Sequence, residues 1–593
     1  ETTGTTAKDS FATPVILFPG GSIEADVEGS DRQRRIGGVQ VLGIDESFWD
    51  LDVTGIRPEA MPGEESVVLN QAAADELKVS VGDQVTLRLP VEGAVPADSP
   101  LGRREIQSEG LPRMKVAAIV PDSGLGRFSL SPNQAAPKTV FASRTVIADV
   151  LDRDGQANAI FLAREISGDD VSWSLETLGW NLQHIQRGGE EGGEPIIDYI
   201  SLTSENLLLK NDAVNAVMDA LPEGTVTPVM TYLANAIEKV DPETGEVIVN
   251  DQSHSVPYST LSAIDDGPTL PLDYSFQEQP TTDSGETPIV LNDWTANRLG
   301  AAVGDQVRVF FYEPEVENGR EIERSFDAVV TQIVPLTIPS KPYRRNREAV
   351  FDEPITRYND PALTPDVPGV TDLDSSGDWE LPFQLDRKIE REDDAYWNEQ
   401  RLTPKAFVPL DVGQTIFGSR FGQTTGLRLD AILAKDMPAL RAKILAATRG
   451  VQSELGWTPR SIRAEQLAAS KGTTPFDGLF LALSFFVILA ATMLIALLLR
   501  LGVIQRLSEF GTLLAVGFTP RRVMKLALGE TAVTAAFGTL LGIAGGVAYA
   551  WAVLWALKSW WVGAVTVPFL QFHATPMSIA LGGILGWLVC MFT

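Results

Sequence analysis

The chain has 593 residues, more than one hydrophobic core organises, and a net charge of −30, so several domains are expected and nucleic acid is excluded as a partner. Its single cysteine, Cys590, excludes an internal disulfide or a cysteine-based zinc site, and His184, His254 and His573 are too scattered to suggest one. The charge is unevenly placed. From residue 476 onward Arg500, Arg506, Arg521, Arg522, Lys525 and Lys558 stand against only Asp477, Glu509 and Glu530, so the acidity belongs to the first 475 residues and reads as a well-solvated surface.

The chain starts at Glu1 with no signal peptide before it and stops at Thr593 inside an apolar run. Both ends read as cut, and a segment that delivers the acidic part across a membrane is expected upstream.

The acidic part contains an internal repeat. Val67-Val68-Leu69-Asn70 is followed by Ala74, Leu77 and Val81-Gly82-Asp83-Gln84-Val85. Ile289-Val290-Leu291-Asn292 is followed by Ala296, Leu299 and Val303-Gly304-Asp305-Gln306-Val307, at a constant offset of 222 residues (292 against 70, 304 against 82). Ala118-Ile119-Val120-Pro121 matches Gln332-Ile333-Val334-Pro335, and Leu42-Gly43-Ile44-Asp45 resembles Ser262-Ala263-Ile264-Asp265. Pro137-Lys138 matches Pro404-Lys405, and Gly155-Gln156 matches Gly422-Gln423. Each unit reads as strand, short helix, Gly-Asp turn, strand. Asn70 is the expected N-cap of a helix over Gln71–Leu77, and Val85 to Leu89 alternates as a strand does. The pattern predicts two tandem α+β modules built on small sheets, residues 1–200 and 201–460.

The second copy carries an insertion over roughly residues 338–402, rich in Pro, Asp and Arg. Within it, Asp372-x-Asp374-x-Ser376-Gly377 resembles the start of a calcium loop. The twelfth position is Phe383 where a bidentate Glu is needed, so a solvated acidic turn is the better reading.

Past a linking segment at 461–475 the chain turns apolar. Phe476 to Leu499 is long enough to span a bilayer. A second span is expected from Thr531 to Leu557, with Gly538, Gly542 and Gly546 at four-residue spacing, a stripe that lets another helix approach closely. A third starts near Pro576. Between the first two, five basic residues stand against Glu509 and Glu530, which places that loop in the cytoplasm by the positive-inside rule and the acidic part on the far side. Arg506 and Glu509, three apart on one helical face, are placed to pair. Trp560 and Trp561 beside Lys558 fit an outer-interface belt. No phosphate-binding loop, metalloprotease motif or nucleophile elbow is present, and no cofactor is expected.

The stretch from Arg506 to Val523, with Glu509, Gly511, Leu514, Gly517, the basic pair Arg521-Arg522 and Glu530 after it, resembles the cytoplasmic signature of FtsX-like ABC transporter permeases. The repeated Val-Leu-Asn and Val-Gly-Asp blocks resemble the extracytoplasmic core domain of the MacB class. The resemblance implies a non-catalytic permease subunit in a bacterial inner membrane. Its partners would be a cytoplasmic ABC ATPase subunit, a second permease subunit in a homo- or heterodimer, and the lipid bilayer. ATP hydrolysis would occur in the separate ATPase chain and drive movement of the outer domain. That movement would serve extraction of lipoprotein, lipid or peptide, or envelope signalling. On this reading Arg506, Glu509, Gly511, Leu514, Gly517, Arg521, Arg522 and Glu530 form the ATPase-coupling site, Ser461–Gly472 is the lower stalk, and residues 476–593 are the all-α transmembrane domain. The alternative is a membrane-anchored binding or adhesion protein without an ATPase, for which the 506–530 segment could be scrambled.

Overall fold

The computed structural model describes residues 12–26, 33–91, 107–131, 137–151, 153–163, 173–189, 193–248, 254–276, 287–315, 322–344, 347–367, 370–371, 379, 387–470, 476–560 and 572–592. The acidic Asp372–Gly377 turn lies outside them. The chain divides into two compact units, one of residues 1–89, 110–164 and 461–593, the other of 90–109 and 165–460.

The first unit begins with two long strands, β1 (Ala12–Asp26) and β2 (Gln33–Ile44). There follow β3 (Ser66–Asn70), α1 (Gln71–Leu77), β4 (Gln84–Val91), β5 (Gln107–Gly110), β6 (Met114–Val120), β7 (Thr139–Ser143), α2 (Arg144–Val150) and β8 (Ala159–Leu162). The sheet order is β5-β4-β6-β3-β7-β2-β1-β8, and β4 also pairs with β1. That extra pairing closes six strands, β1-β2-β7-β3-β6-β4, into a ring without free edges. Phe48, Trp49 and Phe141 pack at one side of it, with the Trp49 and Phe141 ring centres 5.0 Å apart.

The second unit adds β9 (Trp180–Arg187), β10 (Ile197–Ser204) and α3 (Asn211–Ala220). It continues with β11 (Val226–Val240), β12 (Val247–Ile248), β13 (Val256–Ala263), β14 (Thr287–Asn292), α4 (Asp293–Leu299), β15 (Gln306–Tyr312) and β16 (Glu323–Val334). After the insertion, which contains α5 (Arg391–Gln400), come β17 (Ala406–Val408), α6 (Leu410–Phe417), β18 (Gly426–Asp430) and α7 (Met437–Thr448). Here β11-β13-β17-β14-β16-β15 closes a ring. Each of its six pairings is parallel or antiparallel as in the corresponding pair of the first ring. Even the register irregularity recurs, between Val67 and Val68 in β3 and between Ile289 and Val290 in β14. Beyond the ring, β18 and β10 carry the sheet to β9.

Instead of small separate sheets, the strands join into sheets of eight and ten. The reason is the length of β1 and β11. Each runs 15 residues and pairs with several neighbours along its course. Residue 200, the expected module boundary, falls inside β10.

Local chemistry explains the repeated strand–helix–turn. Asn70 is fully buried and its Oδ1 accepts from the Ala73 and Thr139 amides, at 3.1 and 2.9 Å. Its Nδ2 donates to the carbonyls of Gly126 and Pro137. Asn292 repeats the cap on Thr295 N at 2.7 Å and donates to Tyr396 Oη and the Pro404 carbonyl. One side chain therefore starts the helix and ties its strand to the chain leading into the neighbouring strand. In the turns, Gly82 and Gly304 adopt φ of +105° and +95°. Asp83 and Asp305 each accept from an amide three residues back at 2.8 Å.

The helical part comprises α8 (Ile462–Ser470), α9 (Phe476–Gln505), α10 (Leu507–Ala515), α11 (Pro520–Ser559) and α12 (Pro576–Phe592). Two helices, over Ser484–Gln505 and Pro520–Ala556, are long and apolar enough to cross a membrane, while α12 is shorter. The second runs well ahead of the span expected at Thr531. Pro520 sits in its first turn, where a missing N–H is harmless, and nothing breaks the helix after that. Its 40 residues make it about 60 Å long, twice the hydrocarbon thickness, so part of it lies outside the bilayer core.

Candidate functional site

The loop between the two long helices is short and tightly turned. At its start Arg506 leaves helical geometry, and its guanidinium joins three elements. Nε lies 3.1 Å from Glu509 Oε2 in α10, the i,i+3 pair that the spacing predicts, and Nη1 lies 2.6 Å from Glu530 Oε2 in α11. These bonds hold the Arg506 guanidinium above its ordinary pKa, the Glu530 bond most strongly.

The end of α10 is set by Gly517. Its φ is +96°, a left-handed conformation that glycine adopts without penalty. The Gly517 amide donates to the Leu514 carbonyl at 3.1 Å and the Phe518 amide to the Leu513 carbonyl at 3.1 Å. This is the double bond pattern of a Schellman cap. Thr519 and Pro520 then start α11. Gly511 differs in its backbone, which stays right-handed inside the helix; a side-chain carbon placed there, as at Gly517, would meet nothing within 4 Å. Arg521 and Arg522 are exposed in the first turn of α11, and Leu507, Leu514, Val516 and Phe518 are exposed around α10.

Arg506 and Glu530 also sit at the edge of a groove of about 1790 Å3 between α9, α11 and α12. Gly538, Gly542 and Gly546 line this groove, and nothing described lies within 4 Å of where their side chains would start. The close approach of α11 to α12 is made at Gly583, where an added Cβ would stand 2.9 Å from Ile543 Cδ1. Trp587 Nε1 also donates to the Ala532 carbonyl at 3.2 Å. Just before α9, Gln466 of α8 donates to the Ser129 carbonyl of the first unit's sheet domain at 3.1 Å.

In the second unit, the base most perturbed among the described residues is Lys405. Burial pulls its ammonium down to about 8, against the opposing pull of Asp393. It lies 5.1 and 5.2 Å from the ring centres of Trp294 and Tyr396. The adjoining cavity is only about 20 Å3, room for one water and not for a substrate. At the matching place in the first copy, Lys138 pairs with Glu76 at 3.1 Å on the surface. Among the described residues, no three His, Cys, Asp or Glu side chains gather as a metal site.

Pairing of Arg506 with Glu530, 24 positions away, escapes sequence reasoning, since both are recognisable only as separate motif positions. So does a polar cavity lined by Arg187, Arg344, Arg347 and Arg401. Its one signal is the arginine-rich run at 344–347 of the insertion.

Two helices of membrane-spanning length are thus joined by a basic, capped loop. Residues 481–593 match the family described as FtsX-like permease C-terminal. That family is one of membrane-integral ABC transporter subunits, generally non-catalytic, which typically work with an ABC ATPase partner. Comparison with curated proteins gives no match.

Proposed function

We propose that the chain is the permease subunit of an ABC transporter complex, in which α10 docks on a cytoplasmic ATPase and passes its motion to the outer domain. The observation that carries this reading is the surface of α10. Leu507, Leu514, Val516 and Phe518 are exposed in a loop outside the two spans, Val516 at 74%. Apolar side chains clustered at such a place call for a protein to cover them. The Arg506 bonds to Glu509 and Glu530 tie that surface to the long helices, so a push on α10 is passed to α9 and α11. Gln466 links α8 to the outer domain.

In this reading residues 1–475 lie outside the cytoplasm of a bacterial inner membrane. The coupling residues are Arg506, Glu509, Gly511, Leu514, Gly517, Arg521, Arg522 and Glu530. The open Gly538, Gly542 and Gly546 stripe accepts a helix of a second permease subunit. The two rings are copies of one MacB-like module. Their matched strand pairings, shared register irregularity and equivalent Asn caps support this. Motion of the duplicated domain serves extraction of lipoprotein, lipid or peptide, or envelope signalling.

The test is co-purification from native membranes in detergent, with the unmutated protein, Gly517→Arg and Glu509→Arg compared. A P-loop ATPase should come with the first and be lost with the variants. No ATPase recovered with abundant, intact unmutated protein would sink the transporter reading in favour of an anchored binding protein.

A further inference from the structure

The sheet formed by β9, β10 and β18 has two unlike faces. On one, Trp180, Leu182, Ile200, Leu202, Leu427 and Leu429 belong to the apolar cluster that includes residues of α3 and α7. Strand alternation and register place Asn181, Gln183 and Arg187 of β9 on the other face, with Ser201 and Thr203 of β10 beside them. Arg428 of β18 lies opposite Ser201 on that same face. That face mixes these polar side chains with Ile185, Ile197 and Tyr199. It is roofed by the chain between β16 and β17, and a cavity of about 530 Å3 remains between them. Its size is that of small-ligand sites, and its walls are mostly polar.

Its charge runs against the surroundings. Arg187, Arg344, Arg347 and Arg401 line it, with Glu348 and Asp366 as the acids, inside a strongly acidic part of the chain. These arginines are positioned. Arg187 Nη1 donates to Tyr343 Oη at 3.2 Å. The Arg401 guanidinium stands 5.2 Å from the Trp397 ring centre and 5.8 Å from that of Tyr343. Its backbone sits at φ +53°, which a non-glycine residue rarely adopts, and such residues concentrate at ligand sites. Arg428 stands outside the cavity lining: it is 7% exposed, stacks over the Tyr199 ring at 4.2 Å, and its charge opposes the upward push that burial gives the Asp360 carboxyl.

We propose that this cavity binds an oxyanion, a phosphate or carboxylate, carried on a small hydroxyl-rich body. Guanidinium forks match both anions bidentately, and Arg344 and Arg347 line the cavity while exposed to solvent, Arg347 spending only Nη2 on the Pro342 carbonyl at 3.3 Å. Asn181, Gln183, Ser201 and Thr203 offer the donors and acceptors that hydroxyl groups need. The inference stands apart from the ATPase reading, since the cavity lies wholly in the outer part of the chain and binding there requires no ATP.

The experiment is calorimetric titration of the detergent-purified full chain with glucose 6-phosphate, glucuronate, uncharged glucose and a short-chain phosphatidylglycerol below its micelle concentration. Either charged sugar should bind saturably, glucose should not, and Arg344→Gln/Arg347→Gln should weaken binding at least tenfold without moving the melting temperature. Should the double variant fail to fold, Arg347→Gln alone serves. Binding of the phosphatidylglycerol alone, lost in the variant, assigns the anion to a lipid headgroup instead of a free solute. Three results would overturn the proposal: no saturation by any probe at about 10 mM, glucose binding as well as its charged relatives, or unchanged affinity in the variants.

Discussion

Arg506 Nη1 lies 2.6 Å from Glu530 Oε2, which ties the junction of α9 and α10 to α11 across 24 residues of sequence. Both side chains are about half exposed, so solvent screens the pair and it adds little to stability. Its value to the protein is therefore positional. Arg506→Glu and Glu530→Arg should each leave the melting temperature within about 2 °C and cut ATP hydrolysis by the recovered complex severalfold. The charge-swapped double variant should regain most of that hydrolysis. A double variant as poor as either single one would show that the pair is not the link.

The two glycines of α10 should behave differently. Gly517 needs its left-handed backbone for the cap, so Gly517→Ala costs about 1 kcal/mol locally and Gly517→Asn less. Gly511 sits inside the helix with open space around it, so Gly511→Ala should be neutral or stabilising by about 0.5 kcal/mol. Retention of the ATPase on an affinity column should fall in the order Gly511→Ala, Gly517→Asn, Gly517→Ala. If Gly511→Ala were the worst, the packed face of α10 and not its end would be the sensitive feature.

Asn70 and Asn292 are fully buried, and each caps a helix while donating to the chain ahead of a neighbouring strand. Truncation to alanine orphans backbone groups on both sides, at about 3 kcal/mol. Asn70→Ala and Asn292→Ala should therefore lower the unfolding temperature of the purified chain to a similar degree. Aspartate at either site should be no better, because it keeps the acceptor but sets a carboxylate against a carbonyl. A loss below about 0.5 kcal/mol at one site would mean that the two rings depend on their asparagines differently.

What the sequence disclosed was local. The Asn70 cap, the Gly82-Asp83 turn and the Arg506–Glu509 pair each involve residues three or four apart, so spacing alone exposes them. Ring closure was hidden, because it depends on Ala25 meeting Val85 and Val240 meeting Gln306, pairings that no periodicity encodes. The same holds for the Arg506–Glu530 contact and for the arginine-lined cavity. Arg187 comes from a strand and Arg401 from the end of α5, 214 positions later, and only the fold of the insertion sets them round one space. The glycine stripe of α11 was legible as a pattern, whereas its partner was not. The described contact with α12 falls at Gly583 instead.

Lys405 gives a prediction with a definite sign. An unfolded lysine titrates near 10.4, while burial brings the folded group to about 8. Between those values the unfolded chain binds the extra proton, so this group makes the domain more stable as pH rises from 8 to about 10.4. Below pH 8 both states are protonated and the penalty of burying the charge is fully present and constant. Lys405→Met removes the titration but keeps a long apolar stem beside Trp294 and Tyr396. The stability of the variant relative to the unmutated protein should therefore be highest below pH 8 and should fall by about 3 kcal/mol on reaching pH 10.4. Melting temperatures of both proteins across that range measure this directly. Parallel curves would mean that Lys405 titrates as a solvated lysine does, with Asp393 and the two rings compensating its burial in full.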